Sequence, residues 1–214
     1  MNLLRTTLLF LAAATLTAAT SVRAGVDDDV RALQSEWEQI KYRTPPAEHE
    51  KSFKALAQTA AAVRAKYADR AEPEIWYGII VASHAGAKGG LGALSLAKEA
   101  RSALEHALKV DAKALSGSAY TSLGSLYYQV PGWPIGFGDD DKARQLLYKA
   151  LSANPDGIDP NYFLGDFLYR QRDFDGAREA LERALKAPAR PDRPLADEGR
   201  RKEIQELMAK LPAR

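Results

Sequence analysis

One helix pattern occurs twice in this chain at a spacing of 34 residues, and that period limits the fold more than any other feature. Ala143, Leu147 and Ala150 recur as Ala177, Leu181 and Ala184. Ahead of each set stands a matching first-helix pattern, Leu123, Gly124 and Tyr127 in one copy and Leu164, Gly165 and Leu168 in the other. Apolar residues at intervals of three and four predict amphipathic helices, and a fixed period of this length predicts stacked two-helix units. A glycine on one helix and an alanine on the other let the pair approach closely, while the leucines fill the space around the contact. No single pair buries its apolar face, so the core arises by stacking.

The two glycines lie 41 residues apart, so the first copy carries seven extra residues, within Val130-Pro-Gly-Trp-Pro-Ile-Gly-Phe-Gly138. A looser third copy precedes, with Tyr77-Gly78 followed by Ala100, Leu104 and Ala107 and an excess of about ten residues that includes Ala85–Gly92. Both excesses fall between a first and a second helix, and insertions at one position of stacked repeats emerge on one face. Upstream, Val30, Leu33, Trp37 and Ile40 mark one helical face, and Phe53, Leu56, Ala60, Val63 and Tyr67 mark another across Thr44-Pro45-Pro46. Downstream, Pro188, Pro191 and Pro194 predict an extended linker. Ile204, Leu207, Met208 and Leu211 then mark the apolar face of a last helix, with Arg200, Arg201, Lys202, Glu206 and Lys210 expected on its solvent face.

This order and period of residues resemble the tetratricopeptide repeat (TPR) family. The resemblance implies an all-α solenoid of helical hairpins, about ten helices with a C-terminal capping helix. The chain divides into 1–24, an N-terminal helical pair at 25–70, three repeats with two insertions at 71–189, and a proline-rich linker with a capping helix at 190–214. In TPR proteins the ligand usually meets inward positions of the first helices. Carried over by register, these are Ser118, Thr121, Ser125, Tyr128 and Gln129 in one repeat and Tyr162, Asp166, Tyr169 and Arg170 in the next. The run PGWPIGFGD with NPDGIDPNYF also resembles the TatT-type TPR proteins, which partner the substrate-binding subunit of periplasmic TRAP transporters. That likeness implies a cavity and delivery of a small apolar ligand; it departs in having no lipobox cysteine.

Residues 1–24 read as a secretory leader: Arg5, then an apolar run from Leu8 to Ala19, then Val22-Arg23-Ala24 before Gly25. The run is shorter than the roughly 20 apolar residues that cross a bilayer, so cleavage, a periplasmic product and no integral membrane segment are expected. The remaining residues hold 28 basic and 28 acidic side chains, which gives no electrostatic case for nucleic acid. Cysteine is absent, which removes disulfides, thiolate metal sites and thiol nucleophiles.

Within the long insertion Trp133, Ile135 and Phe137 either face a partner or fold back as a plug on the core. Asp139 aligns with Asp173 and Asp141 with Asp175 at helix starts, which favours capping over cation binding. Ala85–Gly92 is glycine-rich but lacks the Lys-Ser/Thr ending of a phosphate loop. His49, His84 and His106 are scattered, and no catalytic order stands out. No enzyme activity, cofactor or metal is expected. Partner-binding candidates are Tyr128, Trp133, Ile135, Phe137, Tyr162, Asp166, Tyr169 and Arg170. The expected role is that of an exported accessory to a periplasmic solute-transport system; the alternative is a protein–protein scaffold in envelope assembly that holds a peptide in its concave groove.

Overall fold

A computed structural model describes residues 25–212; the predicted leader at 1–24 lies outside the described residues. Nine α-helices occur among the described residues: α1 (25–43), α2 (His49–Lys66), α3 (Ala71–Lys88), α4 (Gly90–Asp111), α5 (Ser118–Gln129), α6 (Asp140–Ala153), α7 (Ile158–Arg170), α8 (Phe174–Leu185) and α9 (Pro194–Met208). No strand forms among them, and one isolated bridge joins Gly132 to Gly138. The fold is an all-α solenoid of helical hairpins.

Three hairpins, α3/α4, α5/α6 and α7/α8, repeat one contact. A Cβ built on Gly78 would lie 2.7 Å from Leu104 Cγ, one on Gly124 2.9 Å from Leu147 Cγ, and one on Gly165 2.7 Å from Leu181 Cγ. Real Cβ atoms do not approach so closely, so each crossing requires glycine. The looser copy at Gly78 is therefore a true repeat. Asp139 and Asp173 cap α6 and α8, their carboxylates accepting from the backbone N–H of Lys142 (2.9 Å) and Gly176 (3.0 Å). The expected recurrence of caps at that position is met.

The structure corrects two expectations. Ala85–Gly92 does not bulge as an insertion: α3 continues to Lys88, α4 begins at Gly90, and Gly89 alone (φ +63°) joins them. Helix-compatible Ala and Lys lengthen α3 instead of interrupting it, and glycine supplies the left-handed turn. Arg200 does not face solvent: it is buried. It sits four residues before Ile204, so on a helix it shares the apolar face.

The long insertion is a real loop. Asp139 N–H donates to Tyr127 O (2.9 Å), Gly138 N–H to Pro131 O (2.9 Å) and Gly136 N–H to Gly132 O (3.0 Å), and the Trp133–Pro134 bond is cis. The loop lies against α4, where a Cβ on Gly136 would be 3.4 Å from Leu94 Cδ1.

The two ends of the solenoid meet. Arg193 Nε donates to Glu38 (2.5 Å), Arg43 pairs with Glu198 (3.2 Å) and Lys41 with Glu203 (3.2 Å). A methyl group on Gly199 of α9 would overlap the Tyr42 ring of α1. First and last helices thus close the stack into a ring.

Candidate functional site

The ring surrounds a groove of about 570 Å³, within the range of ligand pockets. Helix α1 contributes Trp37 and Tyr42 to its wall, and α3 contributes Trp76, Ile79 and Ser83. Helix α5 presents a polar row, Ser118, Thr121, Ser122, Ser125 and Gln129. Helix α7 presents Asp159, Tyr162, Asp166 and Arg170, and the C-terminal segment adds Arg190, Arg193 and Arg200. Inward positions of first helices form the wall because second helices take the outer layer, so a side chain three or four positions on shares that inner face.

An ion-pair network ties the C-terminal wall together. Asp159 accepts from Arg190 Nη1 (2.7 Å) and Arg200 Nε (2.9 Å), while Arg200 Nη1 donates to Glu203 (2.6 Å). Burial pushes the Asp159 carboxyl up, but the charges of Arg200, Arg190 and Arg193 outweigh it and hold the group at about 2. Burial raises the Tyr162 hydroxyl to about 12 against the opposing charge of Arg200, whose guanidinium lies 4.3 Å from that ring centroid. At neutral pH the wall therefore holds a neutral phenol, an ionised Asp159 and charged arginines. At the aromatic end, Trp37 Nε1 donates to Ser83 Oγ (2.8 Å) and meets Trp76 edge to face at 6.0 Å.

The sequence-derived candidates divide into three groups. Tyr162, Asp166 and Arg170 line the groove, as do Ser118, Thr121, Ser125 and Gln129. Tyr128 is half-buried behind that wall and donates its hydroxyl to Asp166 (2.7 Å), whose carboxylate also accepts from Arg170 (3.2 Å). Tyr169 packs on Phe174 at 5.9 Å and lies outside the groove. The loop residues lie outside it too. Phe137 folds back against Tyr127 (5.5 Å) beneath the Arg101 guanidinium (4.4 Å), whereas Trp133 is 89% and Ile135 67% exposed. One loop thus supplies both a plug and a free apolar tip.

Sequence reasoning missed Trp37, Trp76, Arg190, Arg193 and Arg200 as groove residues. The i−4 relation of Arg200 to Ile204 was a usable signal, as was the register of Trp76, two residues before Gly78 as Ser122 is before Gly124; Trp37, Arg190 and Arg193 reach the groove from the two ends that meet.

Stacked helical hairpins around an inner groove define a solenoid of helical repeats, a class built as protein-interaction modules. Residues 135–211 match the tetratricopeptide repeat family. The fold resembles the crystal structure of a thermophilic TPR protein from Thermus thermophilus, with a TM-score of 0.57 at 14% identity over 92% of this chain and 95% of that chain. No curated protein matches in sequence. The C-terminal part of the chain is thus similar to tetratricopeptide repeats in sequence, and the whole chain shares the fold of a TPR protein. Among the described residues, no helix is long and apolar enough to cross a membrane.

Proposed function

We propose that this protein is an exported, periplasmic binding protein that holds a ligand in its ring-enclosed groove and docks on a partner protein through the Trp133–Ile135 tip. The role that fits this reading is an accessory to a periplasmic solute-transport system, with the substrate-binding subunit as partner and an apolar or mixed small molecule as ligand. Ring closure by α1 and α9 carries the reading, because it turns an open concave face into a partly enclosed site with aromatic groups at one end and charges at the other. Such a lining suits a ligand with both apolar and polar parts. An apolar tip held on a hydrogen-bonded loop suits a partner, since little ordering remains to be done on binding.

Native mass spectrometry of the protein purified from its own host tests this reading. A small molecule retained by the protein, and lost in a Tyr162→Ala, Arg170→Ala double variant, is the expected result. A protein that carries no small molecule and instead retains an extended peptide supports the second reading, a scaffold in envelope assembly. The polar row on α5 favours that alternative, because hydroxyl and amide groups in line can pair with a peptide backbone.

A further inference from the structure

We infer that the α1–α9 junction is a latch: the ring opens there to admit what the groove holds and closes again behind it. This goes beyond the proposed ligand, because it concerns how the groove is reached whatever occupies it.

The junction is built differently from the crossings inside the hairpins. Inside each hairpin, glycine meets leucine in a fully buried apolar contact. Between α1 and the α9 segment the contacts among the described residues include three ion pairs and the packing of one tyrosine ring on Gly199. The Arg43 and Glu198 side chains are 60% and 71% exposed, and such pairs hold weakly and are screened by salt. Only Arg193–Glu38 is shielded, at 16% and 7%, with the Arg193 guanidinium also 5.0 Å from the Trp76 ring centroid.

The C-terminal segment is fastened more firmly on its own side. Arg201 donates to Leu185 O (2.5 Å) and Ala187 O (2.8 Å), and Arg190 donates to Asp197 from both its backbone N–H (2.7 Å) and its Nε (2.6 Å). These bonds hold α9 to the end of α8, so α9 moves with the last hairpin and parts from α1. In a repeat stack each unit touches its neighbours, and small rotations at each junction add up along the array. A closed ring of this kind concentrates that summed motion where the ends meet.

The groove faces the latch from both sides: Trp37, Lys41 and Tyr42 come from α1 and Ala196, Arg200 and Glu203 from α9. Parting the two helices therefore uncovers the groove sideways.

The test places spin labels on Gln39→Cys and Lys202→Cys, two exposed positions on α1 and α9 in a chain without cysteine, and measures their separation by pulsed dipolar spectroscopy. One short distance is expected at low salt. A second population, longer by about 10 Å, a helix width, is expected at about 1 M salt and at low salt in a Lys41→Ala, Arg43→Ala variant. Gly199→Ala wedges the same junction and is read the same way if its circular dichroism stays helical; otherwise the salt series alone decides. A single unchanged distance in every condition overturns the latch. Access is read in a Trp133→Phe background, where the remaining tryptophans, Trp37 and Trp76, both line the groove. Acrylamide quenching is expected to rise with the long-distance population. A longer distance without added quenching overturns the link between latch and groove but leaves the groove as a binding site.

Discussion

Single residues in this protein act by what they are denied. Gly78, Gly124 and Gly165 are denied a Cβ by the facing leucines, and His84 is denied water. His84 of α3 is buried with Nε2 unpaired. Burial, with the nearby charge of Lys88, moves its imidazole below the ordinary value of 6.5. The sign follows from linkage. Below pH 6.5 the unfolded chain takes up a proton that the folded state still refuses, so stability falls as the solution is acidified. Urea midpoints measured at about pH 7 and about pH 5 should therefore draw apart in the native protein. In His84→Leu, which cannot titrate, part of that gap should close. An equal gap in both proteins would mean that His84 is not held neutral.

At the scale of elements, the helices were legible in the sequence and the connections were not. Periodicity placed the helices because apolar spacing and close packing are local demands: Ala143, Leu147 and Ala150 had to share a face whatever they met. The caps at Asp139 and Asp173 were legible for the same reason. The run Ala85–Gly92 misled because glycine content was read as a bulge, while the neighbouring Ala and Lys kept α3 helical up to a single glycine hinge. Charge misled in α9, where Arg200 was assigned to solvent by residue type although its register put it beside Ile204. Whether Trp133 was a plug or a tip could not be decided locally, since the outcome depends on Arg101, distant in sequence, which with Tyr127 captures Phe137 instead. The loop therefore makes a paired prediction. Trp133→Ala should leave the melting temperature within the range of a surface change, about 0.5 kcal/mol, while weakening partner binding. Phe137→Ala should cost about 2 kcal/mol by removing a packed ring. Thermal melts of the two variants side by side check this, and equal losses would mean that the tip is not free.

At the scale of the molecule, the question is whether closure makes one cooperative unit of a stack whose parts would otherwise behave independently. An open repeat array confines a lesion to the damaged unit and its neighbour. Here Arg200 links Asp159 of α7 to Glu203 of α9, and Glu203 in turn pairs with Lys41 of α1. Arg200→Gln removes one of the two guanidinium groups hydrogen-bonded to Asp159 and leaves Arg190 as the other, and breaking a buried ion network of this kind costs about 3 kcal/mol. Acid stability supplies a second signature. Asp159 is held at about 2 against an ordinary 3.8, so it contributes stability above 3.8 that is lost as the pH falls towards 2. Without Arg200 its carboxyl should titrate higher, and the acid-unfolding limb should move towards neutral pH. The decisive reading is where the damage spreads. If the ring is one unit, hydrogen exchange in Arg200→Gln should quicken in α1 as well as in α7 to α9, although α1 lies at the opposite end of the sequence. Protection lost only in α7 to α9 would make the junction an incidental contact, because local opening follows the cooperative unit and not the distance in space alone.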